Sequence, residues 1–82
     1  MGVLKFRAFN KQGKLIQAEI HVDGTFRGFT KTTSENDWFE TETKYNEEHE
    51  WYAKYDGRTI DSGKAIAGKI TVTEVIFQRN LR

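Results

Sequence analysis

Apolar and polar residues alternate along most of this chain with a period of two. The clearest run is residues 14–31, KLIQAEIHVDGTFRGFTK. Ile16, Ala18, Ile20 and Val22 fall on one side of an extended backbone, and Gln17, Glu19 and His21 on the other. Successive side chains of a strand point to opposite faces, so this spacing predicts a sheet with one dry and one wet face. Asp23-Gly24 interrupts the run. A type I′ turn needs positive φ at both central residues, which Asp-Gly tolerates, so the stretch predicts a β-hairpin. On its outgoing strand, 25–30, Gly28 predicts a bulge or a close approach of another group to the backbone.

The same alternation marks the other elements. In 3–9 (VLKFRAF), Leu4, Phe6 and Ala8 share a face opposite Lys5 and Arg7, and 10–13 is a loop ending in glycine. Residues 31–37 (KTTSEND) form a polar linker, 38–43 (WFETET) a threonine-rich strand, and 44–48 a turn. A strand over 49–55 aligns Trp51, Ala53 and Tyr55. Asp56-Gly57 is a second hairpin turn, 58–61 a short strand, and 62–68 a glycine-bracketed loop. The last and longest strand is 69–78, whose apolar phase shifts between Val72 and Val75 and so predicts a bulge or burial on both faces. A helix competes over 34–52: Ser34 and Asp37 resemble a capping box, and Trp38, Tyr45 and Tyr52 lie seven apart. Thr41 and Thr43, with no Leu or Ile nearby, favour strands there. Short strands with a turn signal about every ten residues predict an all-β, seven-stranded antiparallel sandwich. It forms a single domain over 1–82, with the first and last strands at the sheet edges.

Composition narrows the function classes. An 82-residue chain buries only about 60–65% of its unfolded surface, so its core is thin, and a 13% aromatic share fills it efficiently. Thirteen basic residues against 12 acidic leave no basic excess to grip a phosphate backbone, so no nucleic-acid partner is expected. There is no cysteine, which excludes disulfides and thiolate metal sites. No apolar run approaches the length of a membrane span, and no membrane insertion is expected.

The segment 13–24, GKLIQAEIHVDG, followed by Gly28-Phe29-Thr30, resembles the start of PEGA-type and carboxypeptidase regulatory-like domains. Trp51-Tyr52-Ala53 would stand for the aromatic strand that follows in those families. Leu15 and Gln17 depart from the pattern, which has Pro and Gly there. The resemblance implies a transthyretin-like (prealbumin-like) sandwich that serves as a spacer, adhesive or docking module. A place on the cell surface, as a domain of a larger protein, or in a virion is expected. Lys5 is similar in position to the reactive lysine of collagen-adhesin B-type repeats, which form Lys–Asn isopeptide bonds, and Asn80 could be its partner. That reaction needs a buried carboxyl. Tyr55 stands in the matching place, and Lys5 shares parity with Arg7, so a solvated lysine is expected.

Catalytic constellations are not legible. His21 and His49 are expected on outward faces, without the three or four converging ligands that zinc needs. Asp37, Glu40, Glu42, Glu47, Glu48 and Glu50 match no calcium loop and are expected to form a solvated face. Ser34 and Ser62 lack a nucleophile-elbow context. No metal, cofactor or enzymatic activity is expected. The aromatics carry the functional interest. With Phe39 and Trp51 in the core, Phe29, Trp38, Tyr45 and Tyr52 are left as candidate binding residues on the opposite face. Exposed rings anchor protein interfaces and also stack sugars. A protein partner or self-association, through this patch or a sheet edge, is expected. The alternative is a carbohydrate-binding module using Trp38 and Tyr52.

Overall fold

A computed structural model describes residues 1–76. They form an all-β, sandwich-like fold without helix: β1 (Gly2–Phe9), β2 (Glu19–Val22), β3 (Thr25–Phe29), β4 (Phe39–Thr43), β5 (Glu48–Tyr55), β6 (Arg58–Ile66) and β7 (Thr71–Ile76). One sheet has the order β4-β1-β7 and the other β3-β2-β5-β6. Leu4, Phe6 and Ala8 of the first sheet meet Ile20, Val22, Trp51, Ala53 and Ile60 of the second in one buried cluster. Phe6 and Trp51 cross the layer edge to face, with ring centroids 5.7 Å apart.

Both Asp-Gly turns form as predicted, with φ of +52° and +81° at Asp23 and Gly24 and +53° and +81° at Asp56 and Gly57. These are the left-handed values a type I′ hairpin requires. Gly28 fulfils both expectations for a strand glycine. The β2–β3 register shifts between Ile20 and His21, and a Cβ on Gly28 would lie 2.6 Å from Cε1 of Phe39. The Ser34 motif closes a local turn instead of capping a helix: Asn36 N donates to Ser34 Oγ and Asp37 N to the Ser34 carbonyl.

The chain changes sheets after β1. Ile16 N donates to the Ala8 carbonyl at 2.9 Å, which holds it to the first sheet. Thr30, fully buried, then splices the same segment to the second: its Oγ1 donates to the Ile16 carbonyl and accepts from Ala18 N, both at 2.8 Å. Thr30→Val keeps the shape but leaves a buried N–H and a buried C=O unpaired. It is expected to cost about 1–3 kcal/mol, read as a lower urea midpoint.

Three expectations are corrected. The pairing is not wholly antiparallel, because β1 and β7 run parallel from Leu4↔Thr71 to Phe9↔Ile76. A parallel pair has no tight turn to announce it in the sequence. The first strand is not an edge: β1 is central, between β4 and β7. Residues 62–66 are strand, not loop, because β6 follows β5 out to Glu48↔Ile66. There Gly63 lies against the Trp51 indole, 3.1 Å from its nearest ring atom to a built Cβ. β7 pairs with β1 without a register shift, so of the two readings of its apolar phase the bulge does not form. Gln78 and Asn80 lie outside the described residues. Lys5 is on the outer face of β1, as its parity with Arg7 predicts, but it is only 21% exposed on its side chain and lies 3.8 Å from Glu40, so it is not a freely solvated lysine.

Candidate functional site: an aromatic strip on the four-stranded sheet

Alternation in β2 and β5 turns Ile20, Val22, Trp51 and Ala53 inward and leaves Glu19, His21, Glu50, Tyr52 and Lys54 on the outer face. Cross-strand register then aligns them: Glu19 opposite Lys54, and His21 opposite Tyr52. The His21 and Tyr52 rings stack, with centroids 4.4 Å apart and planes 7° from parallel. The bulge at Gly28 brings Phe26 opposite His21, while Phe29 stays opposite Glu19. Phe26 meets His21 edge to face at 5.5 Å, and Phe29 meets Phe26 at 5.4 Å. Phe29, Phe26, His21 and Tyr52 thus form a continuous strip across three strands. Phe26 and Phe29 are 49% and 46% exposed, so large apolar surface stands in water where a closed fold would hide it.

Of the four residues singled out in the sequence, the structure brings two to this strip, Phe29 and Tyr52. Trp38 belongs to the other side of the molecule. It lies by the outer face of β1, where the Arg7 guanidinium covers its ring at 4.2 Å and Lys5 approaches at 5.9 Å. Tyr45, 55% exposed, sits in the β4–β5 turn. Phe26 and His21 were missed. Strict alternation puts Phe26 on the face opposite Phe29, and only the extra residue of a bulge brings the two rings to the same side.

Of the two histidines, His21 is on an outward face as expected and His49 is not. His49 is 4% exposed. Its Nδ1 lies 2.6 Å from Asp23 Oδ2 and its Nε2 3.0 Å from the Lys44 carbonyl. Both ring nitrogens face acceptors, which only the doubly protonated imidazolium can satisfy. The Asp23 hydrogen bond, then the Lys44 carbonyl, raise the His49 pKa above its usual 6.5, against a lowering by burial. The same contact, with the Glu50 N–H second among the lowering influences, holds the Asp23 carboxyl below its usual 3.8. Thr43 Oγ1 completes a Thr-His-Asp grouping in outline. It is 3.4 Å from both ring nitrogens and so lines up with neither. With Nε2 engaged by a carbonyl, no ring nitrogen is free to take a proton from a nucleophile. The grouping braces the β2–β3 turn to β5: Asp23 also accepts from Glu50 N through Oδ1 and donates its own N–H to the Glu50 carbonyl. Parity could have found it, because His49 shares the inward face of Trp51 and Ala53.

Among the described residues no group of three or more His, Cys, Asp or Glu side chains is placed to hold a metal ion. The described residues include no helix long and apolar enough to cross a membrane. The fold and strip define a small β-sandwich with an exposed aromatic face. Comparison with family models, curated proteins and solved structures finds no match to this chain.

Proposed function

We propose that this chain is a non-enzymatic protein-interaction module of prealbumin-like topology that docks through the outer face of its four-stranded sheet. The observation that carries the reading is the contiguous strip Phe29–Phe26–His21–Tyr52. Rings of this size, clustered and half in water, are the anchors that dominate protein interfaces. The topology is supported by sheet orders in which β1 pairs with β4 and β7 and β2 with β3 and β5. An immunoglobulin sandwich instead places its first and second strands side by side. The absence of catalysis is supported by the His49 geometry, where both nitrogens are already engaged. The PEGA-like resemblance of residues 13–30 is the support for a role within a larger surface or virion assembly.

Sugar stacking is less well supported. A sugar platform needs free ring faces lying side by side. Here His21 covers one face of Tyr52, the two Phe rings meet at 69°, and Trp38 is on the opposite side with Arg7 over it.

A photo-crosslinking phenylalanine analogue at position 26, with position 45 as the control, tests the docking face in cells of the source organism. Adducts are expected from position 26 and not from 45. Adducts from 45 alone would overturn the assignment of the face.

A further inference from the structure

We infer that the outer face of the four-stranded sheet is self-complementary and takes a second copy of this chain, the two sheets packing face to face about a two-fold axis that runs along the strands between β2 and β5. This rests on the reading of that face as the docking surface and adds the occupant.

The register supplies the argument. A two-fold axis between the central strands keeps each residue's level along the strand and exchanges left with right. Glu19 is level with Lys54, so each Glu19 comes over the partner copy's Lys54, and each Lys54 over its Glu19. Within one chain Glu19 instead approaches His21, at 3.6 Å. His21, level with Tyr52, comes over the second copy's Tyr52. The flanks match in shape as the centre does in charge. Phe26 and Phe29 rise from β3 on one flank. On the other, Ser62 is level with Tyr52 and Thr59 with Lys54, so the rising flank meets a low one. Tyr52 and Ser62 line a shallow depression of about 470 Å³ together with Asp23, Glu50, Gly63 and Lys64, which receives the ring of Phe26 from the second copy.

Glu19 level with Lys54 on the two central strands, and large rings on the β3 border against Ser62 and Thr59 on the β6 border, are the marks of an isologous surface. A strongly charged partner would find no matching field on a face where Glu19 and Glu50 are balanced by Lys54 and Lys64. Four strands spaced about 4.8 Å apart give a contact smaller than the roughly 800 Å² per partner of a standard interface. The dimer is therefore weak and concentration-dependent.

Sedimentation of the full chain from about 10 µM to about 1 mM, with charge-swap variants, tests the geometry. Wild type is expected to shift from monomer to dimer across that range. Glu19→Lys alone and Lys54→Glu alone each set like charges against each other and are expected to weaken association about tenfold or more. Mixing the two variants restores opposite charges across the axis and is expected to recover the dimer as a heterodimer. Dispersed amide spectra of each variant show that it is folded, since both positions are on the surface. A wild-type monomer at every concentration, or a dimer indifferent to the reversals, overturns the two-fold arrangement. Adducts of a different protein from position 26 would overturn the second copy as occupant while leaving the docking face intact. The lack of any adduct there would remove the face itself.

Discussion

Replacing His49 with alanine is expected to lower the unfolding free energy by about 3 kcal/mol, since hydrogen bonds to a charged group contribute about 1.5–3 kcal/mol each. The imidazolium makes two contacts, to the Asp23 carboxylate at 2.6 Å and the Lys44 carbonyl at 3.0 Å. Its removal also opens a void beneath the β2–β3 turn. Asp23 is 47% exposed on its side chain, so water re-solvates its carboxylate and keeps the loss from being larger. Against a total of about 4–12 kcal/mol for a domain of this size, the loss is large. Urea unfolding at fixed pH measures it.

The pH dependence follows from the same pair. His49 has a folded pKa raised above 6.5, so its contribution is complete below the unfolded value and is lost as pH rises through the folded one. Asp23 has a folded pKa held below 3.8, so its contribution is present above the unfolded value and is lost as pH falls through the folded one. Stability is therefore expected to be greatest between about pH 4 and pH 6.5 and to decline on the alkaline side. Asp23 and Glu47 both favour the charged ring, and the alkaline decline should vanish in His49→Ala. A wild-type profile that is flat from pH 6 to 9, or one whose alkaline slope survives the substitution, would exclude the buried imidazolium.

The strands and turns were legible because their determinants are local. Alternation in β1, β2 and β5 and the two Asp-Gly pairs are each contained within a few residues. The parallel β1–β7 pair was not legible, because its partners are some 67 residues apart (Leu4↔Thr71) and no turn joins them. The extension of β6 through Gly63 was hidden because glycine reads as a loop residue. Here it is the space that Trp51 needs against the next strand. Half of the candidate site could be read: Phe29 and Tyr52 lie on the outward face, but Phe26 required the phase change of a bulge. Trp38 and Tyr52 share a sequence parity yet stand on opposite sides of the sandwich. Parity fixes a face relative to its own strand and does not say to which sheet that strand belongs.

Two phenylalanines, one on each side of the four-stranded sheet, are expected to differ widely in their contribution to stability. Phe6 is fully buried between the sheets, edge-on to Trp51. Phe6→Ala removes a ring from the middle of a thin core that has little freedom to collapse, and is expected to cost about 3–5 kcal/mol. A loss of that size approaches the whole stability of a small domain, so the variant should be largely unfolded near its physiological temperature. Phe26 is the same side chain on the outer face, half exposed and touching only His21 and Phe29 among the rings. Phe26→Ala in the monomer is expected to change stability by about 0.5 kcal/mol. Thermal and urea unfolding at low protein concentration, where self-association does not contribute, measure both. If the two substitutions cost the same, Phe26 is not an outside ring, and the strip on which the docking face depends is part of the core.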